Sequence, residues 1–136
     1  MAGNEIKIER PLSPHLQIYR PMFTMMMSMM HRITGAALFF GTFILAWWLI
    51  SAASGPAYYS YVNVFVSSWL GRLILFGYTW ALIHHMLGGI RHFIWDTGRM
   101  FSRPALEYSA WAMLISSVGL TWVVWIAGYI VMGGRP

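Results

Sequence analysis

The sequence contains no cysteine, which excludes disulfides, thiolate metal sites, thiol redox chemistry and any iron–sulfur cluster ligated by cysteines of this chain. Acidic side chains are nearly as scarce: Asp and Glu number 4 in 136 residues, and charged residues of both signs make up only 10%. Residues 51 to 71 carry no charge at all. A soluble domain ordinarily commits about a quarter of its residues to charge, so that class is excluded. Internal repeats of the kind that mark inverted-repeat transporters are also lacking. The formal charge of +5 does not imply nucleic-acid binding, because the basic residues form no stripe interleaved with polar surface.

What the chain has instead is apolar length. Hydrophobic residues make up 58% of it, with 8 tryptophans. A hydrocarbon core of about 30 Å takes roughly 20 apolar residues as helix, and three runs qualify, at about 25–50, 64–92 and 109–132. The expected fold is an all-α membrane protein of one domain, with three transmembrane helices. The nine basic residues then act as topology signals. With the N-terminus cytoplasmic, Lys7, Arg10, Arg20, Arg32, Arg91, Arg99 and Arg103 lie inside, and Arg72 and Arg135 opposite. The positive-inside rule therefore puts the C-terminus on the periplasmic side of a multi-pass protein.

Residues 1 to 24 form an arm on the inner surface. Pro11, Pro14 and Pro21 each remove a backbone donor and disfavour helix before them, so an extended course is expected. The mixture of apolar, aromatic and basic groups in ERPLSPHLQIYRP suits docking on a partner. The arm lacks the apolar core of a signal peptide, and its two glutamates, Glu5 and Glu9, argue against a mitochondrial presequence. A bacterial inner membrane is expected. Between the first two spans, SAASGPAYYS makes the outer turn, with room for a single interfacial helical turn. In the third span Ser116, Ser117 and Gly119 are small residues that let membrane helices pack closely.

Ionisable groups inside spans cost about 2.5–3.5 kcal/mol for arginine on insertion scales and are functional candidates by default. Two clusters qualify: Ser28, His31 and Arg32 on the first span, and His84, His85, Arg91 and His92 on the second. His85, Gly88, Gly89 and His92 follow i, i+3, i+4, i+7 and share one helical stripe. Bare backbone between two imidazoles admits a flat cofactor such as haem. The competing stripe of His84, Leu87, Gly88 and Arg91 places a leucine where the first has Gly89, which favours His85 over His84. One stripe cannot supply both axial ligands. Their nitrogens lie about 4 Å apart across iron, whereas two helical turns separate residues by about 11 Å. The second ligand comes from another helix, His31 and a histidine of a second polypeptide both being open. Arg91 and His92 are candidates for haem propionates. Ser28 and Arg32, at i and i+4, share a face with His31 turned about 100° away; together they suit a quinone carbonyl or a lipid phosphate.

The combined pattern resembles the cytochrome b membrane-anchor subunits of succinate dehydrogenase, respiratory complex II. It is carried by RPLSPHLQIYRP, then S-x-x-HR-x-TG at 28 to 35, then HxxxGIRHFxWDxG from 85 to 98. The likeness covers nearly the whole chain; the third span adds almost nothing to it. The resemblance implies a helical bundle shared with a second small anchor subunit, and one haem b with an axial histidine from each chain. Here that histidine is His85, four residues before the glycine of GIRH; the adjacent His84 is a departure. His31 then becomes a neighbour of quinone or propionate rather than an iron ligand. The resemblance further implies a ubiquinone site using Ser28 and Arg32, beside an iron–sulfur subunit that receives electrons from a flavoprotein subunit oxidising succinate. The competing classes are an anchor of fumarate reductase or another quinone-linked dehydrogenase, and a non-redox small membrane protein.

Overall fold

The computed structural model describes residues 10–133. Lys7 and Arg135, two of the topology charges, and Glu5 and Glu9 lie outside them. Among the described residues every regular element is helical: α1 (His15–Ile18), α2 (Phe23–Ser54), α3 (Pro56–Ser67), α4 (Trp69–Asp96) and α5 (Arg103–Val131). Three of these, α2, α4 and α5, are long and apolar enough to cross a membrane. At 1.5 Å per residue their 28 to 32 residues reach about 42–48 Å, more than the hydrocarbon thickness, so their ends extend into the interfacial layers.

Sequence punctuation fixes where the helices stop. Gly55 has φ +115° and ψ 169°, a conformation open to glycine alone, and Pro56 follows in the first turn of α3. Ser68 then caps α4 by accepting from the Gly71 amide at 3.1 Å. The single turn expected between the first two spans is thus a helix of 12 residues. Residues 64–67, expected at the start of the second span, belong to it. Nothing charged opposes burying this helix against α2 and α4, and its Val62 is fully buried. The Trp47 indole donates to the Tyr58 hydroxyl at 2.9 Å, fastening α3 to α2.

Gly71 marks the tightest point of the α3–α4 corner. A Cβ there would lie 2.2 Å from the Phe65 carbonyl oxygen and 2.7 Å from that of Val66. Backbone cannot swing away as a side chain can. Gly71→Ala is expected to destabilise the bundle by about 1–3 kcal/mol, the usual range for overpacking, read as a lowered unfolding temperature in detergent. At Gly77, with nothing within 4 Å, the same substitution should leave that temperature unchanged or slightly raised.

The short connections make α2, α4 and α5 run up, down and up. The arm and the α4–α5 connection therefore share one side of the bundle, and α3 lies on the other. Residues 10–22 form no regular element apart from α1, and Leu12, Ile18 and Tyr19 are at least 62% exposed. A small apolar core forms near the arm side, where Met27, Ala110 and Met113 meet with Phe23, Leu87 and Leu114. Along α5 the packed residues are Ala110, Met113, Ser117 and Thr121, at spacings of three and four. Of the three small residues expected to make the contact, only Ser117 lies in it; Ser116 is exposed and Gly119 faces open space. Most other apolar side chains point outward, as lipid requires.

Candidate functional site

The two imidazole stripes of α4 separate cleanly. His84, Gly88 and Arg91 are buried within the chain, whereas His85 and Gly89 are half-buried and His92 is exposed on the adjacent flank. This orientation follows from what lies opposite: α5 offers hydroxyls and a carbonyl to His84 and Arg91, and α2 lays an imidazole against His85 and Gly88.

On the α5 side, His84 is 0% exposed. Its Nδ1 lies 3.2 Å from Ser117 Oγ, and that hydroxyl donates to the Leu114 carbonyl at 2.9 Å. The oxygen therefore accepts, His84 Nδ1 carries the proton, and Nε2 keeps a lone pair. That Nε2 is enclosed without a partner, beside the Trp80 ring at 5.1 Å. Arg91 is similarly engaged. Its Nε donates to Ser109 Oγ at 2.9 Å and an Nη to the Leu106 carbonyl at 2.8 Å, with the guanidinium 4.3 Å from the Trp95 ring. These contacts make Arg91 a clamp between the arm-side ends of α4 and α5, which satisfies the charge that composition alone leaves unexplained. Its guanidinium is directed at α5.

On the α2 side, His31 and His85 stack with centroids 4.1 Å apart and planes 6° from parallel. Each donates to the other's backbone: His31 Nε2–H to the His85 carbonyl at 3.2 Å, and His85 Nδ1–H to the His31 carbonyl at 3.1 Å. A carbonyl only accepts, so both protonation sites follow. The His31 carbonyl is held in place by Thr34, whose hydroxyl donates to it at 2.9 Å. His85 is consequently the tautomer with Nδ1 protonated and Nε2 bare. That Nε2 has no hydrogen bond within the described residues and is not enclosed. His31, by contrast, has already committed its Nε2.

Two glycines make the stack possible. A Cβ at Gly88 would come within 2.2 Å of the His31 ring, and one at Gly35 within 2.9 Å of the His85 ring. Gly88, expected as bare backbone beneath a cofactor, is the seat of His31; Gly89, with nothing within 4 Å, remains open. His92 meets the His31 ring edge-on at 5.2 Å. The flank thus gathers His31, His85 and His92. Thr34 and Gly35 went unassigned in the sequence reading, although both stand inside the S-x-x-HR-x-TG motif; their spacing from His31, three and four residues, was the available signal.

Ser28 and Arg32 stand apart from this stack. Both are exposed, on the part of α2 that turns away from α4 and α5. Neither hydrogen-bonds to the described residues, whereas Thr42, Ser54 and Thr79 return their hydroxyls to a carbonyl one turn earlier.

Three apolar spans and an interior tied by buried polar groups define an integral membrane protein, all-helical among the described residues. The chain belongs to the succinate dehydrogenase/fumarate reductase transmembrane subunit family, whose sequence model matches residues 7–127. It is 38% identical over 122 residues to the succinate dehydrogenase cytochrome b556 subunit of Rickettsia felis, covering 90% of this chain and 95% of that one. To the subunit of the same name from Paracoccus denitrificans it is 40% identical, covering 89% and 93%. The mitochondrial cytochrome b560 subunit of Sus scrofa is 40% identical over 120 residues, covering 82% of this chain and 69% of that protein.

Proposed function

We propose that the chain is the haem-bearing membrane anchor of a succinate:ubiquinone oxidoreductase, with no dehydrogenase chemistry of its own. The observation that carries this reading is His85, whose Nδ1–H is fixed on the His31 carbonyl while its Nε2 makes no hydrogen bond to the described residues. Metal-bound histidines are oriented in this way, by a hydrogen bond from the other ring nitrogen. The residues present therefore fit haem b, and the group would supply a one-electron carrier when bound. His85 would hold the iron on one face, and a histidine of a second small anchor subunit would hold it on the other. His31 orients His85 by stacking and by its carbonyl, and His92, on the same flank, would serve a propionate. Gly35 and Gly88 leave the rings room to stack.

Ser28 and Arg32 form the ubiquinone contact. An exposed guanidinium with no hydrogen bond to the described residues can polarise a quinone oxygen and stabilise negative charge as reduction proceeds. Ser28, one turn away with its hydroxyl uncommitted, would bond to the quinone or pass it a proton. The exposed apolar and aromatic groups of the arm dock on the iron–sulfur subunit, which receives electrons from the flavoprotein. The membrane is the bacterial inner membrane, with the arm cytoplasmic and the end of α5 periplasmic. Arg10, Arg20, Arg32, Arg91, Arg99 and Arg103 on the arm side against Arg72 opposite support that orientation.

Purification of the chain from its own membranes tests the proposal. A flavoprotein, an iron–sulfur protein and a second small anchor should accompany it, and the reduced-minus-oxidised spectrum should carry b-type bands. A chain isolated without those partners and without haem bands would overturn it.

A further inference from the structure

Between residues 33 and 90 the chain has one side chain of the Asp, Glu, Lys or Arg types, Arg72. It lies at the bundle end opposite the arm, far from the histidine flank, and its position is costly in two respects. As the fourth residue of α4 it stands at the positive end of a helix dipole, where cations are disfavoured. No carboxylate of the described residues shares that side, since Asp96 and Glu107 both flank the α4–α5 connection.

Arg72 lines a cleft of about 350 Å³ between α3, α4 and α5. Polar groups lie along it: Asn63 and Ser67 of α3, and Tyr129 of α5. Its apolar wall includes Leu75 and Val124. Trp125 is held in place, its indole donating to Thr79 Oγ1 at 3.2 Å and its ring edge-on to Phe76 at 5.4 Å. A larger cavity of about 730 Å³ between α2, α3 and α4 has no charged residue in its lining, so the guanidinium distinguishes the smaller one.

We propose that this cleft binds one anionic phospholipid from the leaflet opposite the arm. The phosphate would sit on the Arg72 guanidinium, which makes charge-assisted, two-pronged bonds to such groups, with Asn63 and Tyr129 as further donors. The first part of an acyl chain would run over Leu75 and Val124. Tryptophan and tyrosine at this depth match the aromatic belt of a membrane interface. The apolar wall favours a tailed ligand over free phosphate.

The test uses the full chain with whatever subunits accompany it, in nanodiscs of equal phosphatidylglycerol and phosphatidylcholine. Lipid retained after mild detergent transfer is counted by native mass spectrometry. The wild type should retain phosphatidylglycerol preferentially. Arg72→Gln should lower the ratio of the two lipids roughly tenfold, the effect of one charge-assisted hydrogen bond, and Arg72→Lys should keep most of it. Unfolding temperature monitors the fold, and should Arg72→Gln not assemble, the wild-type ratio and Arg72→Lys carry the test. A wild-type ratio near one, or a ratio unmoved by Arg72→Gln, would overturn the proposal. So would a photo-crosslinker at Ser67 that captures a partner polypeptide in place of lipid.

Discussion

His85→Ala should remove the b-type haem bands from the purified complex or convert them to those of a five-coordinate iron, while His84→Ala leaves the spectrum largely intact. The two residues are neighbours in sequence and share a side-chain type, yet they meet opposite environments. His84 gives its Nδ1 proton to Ser117 and ends in an enclosed Nε2. His85 donates its Nδ1–H to the His31 carbonyl and keeps an Nε2 that makes no hydrogen bond to the described residues. Removing His84 therefore affects packing: the variant should lose about 1–3 kcal/mol of stability, typical of a buried truncation, and keep its haem. Removing His85 takes away the proposed ligand without disturbing the α4–α5 contact. An intermediate case tests the supporting bond. Thr34→Val releases the His31 carbonyl from the Thr34 hydroxyl and should weaken haem retention by roughly tenfold, the lower end of the range for groups that support a metal ligand. The reverse outcome for the two histidines would move the iron to His84 and require α4 to turn on its axis.

The spans, the arm and the identity of the histidine-bearing helix were legible in the sequence because they rest on apolar length and on ionisable groups too costly to place in lipid without cause. The preference for His85 over His84 was legible only weakly, because periodicity assigns residues to faces without saying what each face meets. Ser117 and Ser109, which the His84 and Arg91 face meets, come from a helix 18 to 33 residues away in the chain. For the same reason the sequence does not show what Arg91 meets: a lone cation in an apolar helix points to a ligand, whereas the Leu106 carbonyl and Trp95 ring surround it from within the chain. Gly88 was read as space for a cofactor, and it is space for His31, because a glycine announces a close approach without naming what approaches. The length of α3 was missed on different grounds. PAYYSYVNVFVS mixes aromatic, β-branched and small residues without clear periodicity, and its helicity comes from packing on α2 and α4 rather than from intrinsic propensity.

Arg32→Leu should lower succinate-dependent quinone reduction about 100-fold, and Ser28→Ala roughly tenfold, with electron delivery from succinate to a soluble artificial acceptor unchanged in both. The larger figure corresponds to losing a preorganised donor at a developing negative charge, the smaller to losing one hydrogen bond. Both residues are exposed and engage nothing in the described chain, so their removal leaves no internal partner unsatisfied and gives the bundle no reason to misfold. That separates them from His31, only one residue from Arg32, whose ring packs on Gly88 and His85; His31→Ala should depress quinone reduction and disturb the haem spectrum together. Arg32→Lys adds a further distinction. A lysine preserves charge but not the planar fork of donors, so partial recovery by it assigns the effect to charge, and none assigns it to bidentate geometry. Equal loss of quinone and artificial-acceptor activity in Arg32→Leu would place Arg32 in assembly with the partner subunits and remove it from the quinone site.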